Sequence, residues 1–138
     1  MKKIILISFA LIFAFSLFYG CSKSSTDKDL KNQSNSLAYQ KISSKEAKNL
    51  MDTEKDYVIL DVRTKEEFDE KHIPNAVLIP DTEIEQKAES VLKDKDRLIL
   101  VYCRTGRRSA LAAKQLAELG YTNVKDFGGI VDWQYETE

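Results

Sequence analysis

The chain has 138 residues, of which 21 are basic and 22 acidic, with a formal net charge of −1, one histidine and two cysteines. This balance gives no global basic field, so we expect no nucleic-acid partner. One histidine and two distant cysteines cannot supply the four nitrogen and sulfur ligands of a structural zinc site, so we expect no metal and no other cofactor.

The N-terminal segment has the features of a targeting signal. After two lysines, residues 4–20 carry no charge and only two serines as polar side chains, which is typical of a secretory signal peptide. The four residues before Cys21, Leu-Phe-Tyr-Gly, resemble the lipobox of bacterial lipoproteins, in which the cysteine is lipidated and becomes the mature N-terminus. An uncleaved membrane anchor beside an ordinary Cys21 is the alternative. Both interpretations place the rest of the chain at the cell membrane, on its extracytoplasmic face.

A polar segment separates this signal from the folded part. Residues 22–40 are rich in Ser, Lys, Asn, Asp and Gln and nearly lack apolar side chains, so little could offset the entropy of ordering them. We predict a signal peptide over residues 1–20, a lipidated cysteine with a disordered tether over 21–40, and one domain over 41–138, which we expect to be a monomer.

Residues 41–138 alternate between predicted helices and strands. A Ser43 and Glu46 capping box begins the first helix, and β-branched apolar runs at 57–62 and 98–102 predict buried strands. Weaker strands are predicted at 76–80 and 123–127, and further helices at 65–70, 84–92 and 109–119. This order indicates an α/β domain with a central parallel sheet of four or five strands and helices on both faces.

The cysteine at position 103 lies where chemistry is expected. It ends a predicted central strand, and a short loop then leads into a helix. A helix N-terminus directs backbone N–H groups and partial positive charge at one point, which favours a thiolate. Three arginines follow within five positions (Arg104, Arg107 and Arg108), although residues 41–138 hold only 16 basic against 20 acidic side chains. The pattern predicts a nucleophilic thiol in an anion site, and a buried core cysteine is the alternative.

The segment Cys-Arg-Thr-Gly-Arg-Arg-Ser at 103–109 resembles the active-site loop of the rhodanese family, sulfurtransferases whose cysteine carries a persulfide. Two more segments are similar to family motifs in the same order: residues 61–76, with Asp-Val-Arg and His-Ile-Pro, and the Gly-Gly and Trp of residues 128–133. The resemblance covers essentially all of residues 41–138. Lys71 and Asn75 depart from the glycines that the family often has, and Asn tolerates a left-handed backbone.

The resemblance implies a role for each matched residue. Cys103 would be the sulfur acceptor, and the loop of Arg104, Thr105, Gly106, Arg107, Arg108 and Ser109 would surround its outer sulfur and bind an anionic donor such as thiosulfate. Asp61, Arg63 and Glu67 are expected to form a supporting ion-pair cluster, and His72 to form structural hydrogen bonds. The acceptor would be a small thiol, cyanide or a thioredoxin-like protein.

Two other functions compete with a sulfurtransferase. A phosphatase with a C-x5-R loop would need arginine at position 109, which is Ser109, so the loop is one residue short for a phosphoryl group. A persulfide carrier or redox interaction module would also use Cys103, since the predicted domain has no second cysteine to resolve a disulfide.

Overall fold

Five strands lie side by side in one sheet in the computed structural model, which describes residues 39–138. In chain order they are β1 (Gln40–Lys41), β2 (Tyr57–Asp61), β3 (Val77–Leu78), β4 (Leu98–Cys103) and β5 (Val124–Gly129). All neighbouring strands are parallel, in the order β1-β5-β4-β2-β3. The predicted α/β class, with a parallel sheet of four or five strands, is confirmed.

Four helices connect these strands: α1 (Ser44–Thr53), α2 (Lys65–Glu70), α3 (Ile84–Val91) and α4 (Arg107–Glu118). Short 3-10 turns occupy Asp81–Glu83 and Ile130–Asp132. The predicted capping box of Ser43 and Glu46 begins α1, and a second box, formed by Thr64 and Glu67, begins α2. The capping boxes therefore provide hydrogen-bond partners for N–H groups at the N-termini of α1 and α2 that would otherwise lack them.

The core consists of two clusters, one on each face of the sheet. All six residues of β4 are buried, and alternate side chains point to opposite faces. Ile99, Val101 and Cys103 belong to the cluster that includes residues of α3 and α4, whereas Leu100 and Tyr102 belong to the cluster that includes Ala47 of α1. The period of two in β4 thus places the Cys103 side chain on the face covered by α4.

Three local features differ from the sequence predictions. Gln40, which was assigned to the tether, belongs to β1 and pairs with Lys125 of β5. The sequence did not predict this strand, because two polar residues at a sheet edge form no apolar pattern. Helix α4 begins at Arg107, two residues earlier than predicted. The predicted strands 76–80 and 123–127 are observed as β3 and β5 with shifted ends.

The two departures from the family pattern are accommodated by the backbone. Asn75 adopts a left-handed conformation with φ of 64°, which Asn tolerates better than most residues. Lys71 is extended, with φ of −171°, so this position needs no glycine.

The predicted signal peptide, Cys21 and most of the tether lie outside the described residues. No helix within residues 39–138 combines the length and apolar character needed to cross a membrane.

Candidate active site

Cys103 is the last residue of β4, which is the middle strand of the five-stranded sheet. It pairs with Gly129 of β5 after a shift of register that begins at Val101. The residue is 1% exposed and forms no disulfide. Because carboxyl ends of parallel strands are where α/β sheets bind ligands, the thiol lies at the expected edge.

The loop after Cys103 wraps its backbone around the sulfur. Gly106 has φ of 96°, a left-handed conformation that suits glycine, and it precedes the first turn of α4. This turn brings the Gly106 N–H to donate a hydrogen bond to Cys103 Sγ at 3.1 Å. Ser109, fully buried in the first turn of α4, has its hydroxyl oxygen 3.6 Å from the same sulfur.

These contacts determine the acidity of the thiol. Burial raises the pKa of Cys103, but hydrogen bonds from the N–H and hydroxyl of Ser109 and from the N–H groups of Gly106 and Thr105 outweigh it, so the pKa is below that of an ordinary thiol. The thiolate is the nucleophilic form of cysteine. The loop therefore supplies backbone and hydroxyl donors for an anionic sulfur nucleophile.

Two glycines at the end of β5 form the wall behind this loop. A Cβ on Gly129 would lie 2.4 Å from the Arg104 carbonyl oxygen and 2.7 Å from Thr105 Cα. Gly128 has φ of 90°, and its Cα would lie 3.3 Å from a Cβ on Gly106. Glycine is therefore required at position 129, because the active-site loop packs directly on its backbone, and it is favoured at position 128 by the left-handed backbone.

Arg108, one of the residues expected to bind the donor, is held in an ion pair with Glu67. Its Nη1 and Nη2 donate to the two carboxylate oxygens of Glu67 at 2.8 and 2.9 Å, and both side chains are about four-fifths buried, with 20% and 21% exposed. Hydrogen bonding from Arg108 lowers the pKa of Glu67 to about 2. The pair is therefore ionised throughout the neutral range and fastens α2 to α4.

The expected cluster of Asp61, Arg63 and Glu67 is divided into two pairs. Arg63 donates to Asp61 Oδ2 at 2.6 Å and to the Lys71 carbonyl at 2.6 Å, while Glu67 turns to Arg108. Asp61 is completely buried and Arg63 is 4% exposed. Sequence proximity suggested one cluster, but Glu67, in the first turn of α2, pairs with Arg108 of α4.

Arg104 and Arg107 are exposed at the mouth of the site. Arg104 follows Cys103 directly and its carbonyl accepts a hydrogen bond from Val131 N–H, while Arg107 is the first residue of α4. Thr105, between them, is also exposed. These two guanidiniums are the cationic groups of the loop that remain open to an incoming anion.

His72 forms its contacts with α2 and with the last residue of the chain. Its Nδ1 lies 2.9 Å from the Phe68 carbonyl, and its ring stacks on the Phe68 ring with centroids 3.8 Å apart. Its backbone exchanges two hydrogen bonds with Glu138, at 2.7 and 2.9 Å. His72 thus joins the end of the chain to the loop after α2.

Sequence reasoning missed three features of the site. It did not connect Glu67 with Arg108, it did not recognise the Gly-Gly pair as the wall of the loop, and it did not single out Asp126. Asp126 could have been found as a charged residue inside the predicted strand 123–127. No group of three metal-binding side chains occurs within residues 39–138.

Comparisons with known proteins agree with this geometry. The family model described as "Rhodanese-like domain" matches residues 43–136. Thiosulfate sulfurtransferase PspE of Escherichia coli is 37% identical over 73 residues, covering 53% of this chain and 70% of PspE. Adenylyltransferase and sulfurtransferase UBA4 of Candida albicans is 35% identical over 105 residues, which is 71% of this chain but only 24% of that longer protein.

Among solved structures, the one described as "rhodanese with anions from E. coli" superposes with a TM-score of 0.57 and 33% identity. The alignment covers 59% of this chain and 96% of that one.

Proposed function

Because the chain belongs to the rhodanese-like family, we propose that it is a sulfurtransferase that moves a sulfane sulfur from an anionic donor, such as thiosulfate, to a thiophilic acceptor. The observation that carries this proposal is the buried Cys103 sulfur at the end of β4, which accepts a hydrogen bond from the Gly106 N–H within a loop that bears three arginines. These contacts lower the pKa of the thiol. The relatives named for sulfur transfer support the same chemistry.

The proposed reaction has two displacements at sulfur. The Cys103 thiolate attacks the outer sulfur of thiosulfate, the sulfur–sulfur bond of the donor breaks, and sulfite leaves with the electron pair. Cys103 then carries a persulfide, whose negative outer sulfur is stabilised by N–H donors of the loop and by the N-terminal end of α4. An acceptor nucleophile attacks that outer sulfur and returns Cys103 to the thiolate. No metal or cofactor takes part in either step.

Mass spectrometry of the intact protein tests this proposal directly. Incubation with thiosulfate should add one sulfur atom, located by peptide mapping on the segment that contains Cys103, and cyanide should then remove it. Absence of the added sulfur under conditions where the thiol can be alkylated would contradict the proposal.

Repeated turnover with an acceptor distinguishes a sulfurtransferase from a persulfide carrier. Cyanide, a small thiol and a thioredoxin-like protein are all proposed acceptors, since Cys103 is the one cysteine among residues 39–138. Repeated turnover with any of them supports the sulfurtransferase, whereas a single loading event without turnover would favour a persulfide carrier.

The two exposed arginines should bind the donor. We expect Arg104→Ala or Arg107→Ala to lower kcat/KM for thiosulfate by roughly 10- to 100-fold where the guanidinium contacts the anion, because a charge-assisted hydrogen bond contributes about 1.5–3 kcal/mol. The melting temperature should change little. Lys114→Ala is the matched control, since it removes an exposed charge from α4 away from the loop. Unchanged kcat/KM in both arginine variants would mean that the donor is bound elsewhere.

We also propose that Cys21 is lipidated and holds the protein at the cell membrane on the extracytoplasmic face. The lysine start, the uncharged residues 4–20 and the small Gly20 before Cys21 support this. Cys21→Ala should abolish lipid labelling and leave the precursor uncleaved at that position. An unmodified mature wild-type chain that begins elsewhere and is recovered without membrane would contradict it.

A further inference from the structure

Asp126 of β5 is a buried carboxylate that the proposed reaction does not use. It is completely buried, and its strand neighbours are Lys41 of β1 and Val101 of β4. Its Oδ2 has no hydrogen-bond partner. A buried carboxylate is costly to retain, so the one hydrogen bond that Asp126 accepts, through Oδ1, indicates a structural role.

That oxygen holds the glycine wall of the active site. Asp126 Oδ1 accepts a hydrogen bond from the Gly128 N–H at 3.0 Å, two residues along the chain. This local bond closes a turn in which Gly128 has φ of 90°. An aspartate that bonds the backbone two residues on is a recognised way to fix such a turn.

Gly128 in turn contacts Ser109, whose hydroxyl lies beside the Cys103 sulfur. The Gly128 carbonyl lies 3.2 Å from Ser109 Oγ, the Gly106 carbonyl lies 3.1 Å from it, and Cys103 Sγ lies 3.6 Å from it. A serine hydroxyl has one proton to donate, so the positions of these three acceptors determine how it is shared. A shift of Gly128 would therefore change the hydrogen bond that reaches the sulfur.

We propose that Asp126 is a positioning residue for Cys103: its carboxylate fixes Gly128, and the Gly128 carbonyl in turn orients the Ser109 hydroxyl beside the sulfur. The effect passes through geometry and not through the charge of Asp126. The inference rests on Cys103 being the reactive thiol of the proposed function. Its test measures alkylation, which needs no sulfur donor, so the two can fail separately.

Other ionisable groups near this path keep one state during the test. The hydrogen bonds to Glu67 and, to a smaller extent, the charge of the Cys103 thiolate raise the pKa of Arg108 of α4, so its guanidinium stays charged. Tyr39, just before β1, faces Asp126; burial and, after it, the Asp126 charge raise the pKa of Tyr39, so the phenol stays neutral. A changed pH profile of Cys103 is then attributable to the altered hydrogen bonds.

The experiment follows the rate of iodoacetamide alkylation of Cys103 against pH in the full chain, quantified on the peptide that contains Cys103. We expect Asp126→Ala to raise the midpoint of the profile by about one pH unit, which lowers the rate below the midpoint by about tenfold. Asp126→Asn keeps an acceptor for the Gly128 N–H, and its midpoint should remain near that of the wild type.

Val124→Ala is the matched control for lost packing. Val124 is buried in the same strand on the same face, two residues before Asp126. It should lower the melting temperature without moving the midpoint. Should Asp126→Ala fail to fold, Gly128→Ala tests the same link, since its Cβ would meet open space and only the left-handed backbone is disturbed. Its midpoint should also rise.

Two results would overturn the proposal. One is a wild-type midpoint in Asp126→Ala, or in Gly128→Ala where Asp126→Ala does not fold. The other is an Asp126→Asn midpoint raised as much as that of Asp126→Ala, which would show that the charge of Asp126 acts and not the position of Gly128.

Discussion

We expect the Cys103→Ser variant to lose sulfur transfer from thiosulfate to cyanide by on the order of 10³-fold or more, because losing the nucleophile leaves only binding and background reaction. A serine hydroxyl remains protonated at neutral pH and cannot form the sulfur–sulfur bond of the persulfide. Serine is close in size to cysteine, and Ser109 already supplies a hydroxyl at this place, so the fold should persist. The measurement is kcat/KM with thiosulfate, together with the melting temperature.

Cys21→Ser is the matched control for this variant, because it removes the other cysteine of the chain. It should keep wild-type sulfur transfer in a detergent-solubilised preparation. Transfer by Cys103→Ser at a rate comparable to that of the wild type would show that Cys103 is not the sulfur acceptor.

The second large effect is expected from a single methyl group at Gly129. In Gly129→Ala the Cβ would lie 2.4 Å from the Arg104 carbonyl oxygen and 2.9 Å from its carbonyl carbon, so the backbone of the active-site loop must move. We expect a loss of about 1–3 kcal/mol of unfolding free energy from overpacking. We also expect kcat/KM to fall on the order of 100-fold, since misplacing reacting groups by an ångström costs that much. Chemical denaturation and steady-state kinetics measure the two losses.

Gly120→Ala separates this steric effect from the general cost of replacing a glycine. Gly120 has φ of 91°, and a Cβ there would meet only the Lys95 side chain at 3.8 Å. The left-handed backbone should cost about 1–2 kcal/mol, while sulfur transfer per folded molecule stays unchanged. Equal activity losses in the two alanine variants would mean that the contact of Gly129 with the loop is unimportant.

The regular elements of the domain could be predicted because their signals are local. A capping box marks the start of α1, and the continuous apolar runs of β2 and β4 indicate strands that are buried on both faces. The edge strand β1 could not be predicted, since Gln40 and Lys41 are polar, and their place in the sheet depends on pairing with β5, 85 residues along the chain.

The position of Cys103 at the end of β4 was also predictable, since strand, glycine loop and helix follow each other in sequence. The partner of Arg108 was not. The sequence predicted Arg63 as the partner of Glu67, whereas the observed pair with Arg108 depends on how α2 and α4 approach each other in space. Once Arg63 is held by Asp61 and the Lys71 carbonyl, Glu67 is left for Arg108.

The burial of Cys103 limits the size of the molecules that can react with its sulfur, and it does so differently for the donor and for the acceptor. In the resting protein the residue is 1% exposed, so only a slender molecule can present an atom to Sγ. A sulfur–sulfur bond is about 2.05 Å long, so loading would place the reactive outer sulfur that far from Sγ, beside the N–H donors of the loop. The unloaded form would thereby admit small inorganic donors and exclude bulky thiols, whereas an acceptor of the loaded form would have to reach only the outer sulfur. Size selection of the donor would then follow from the burial of a single sulfur atom.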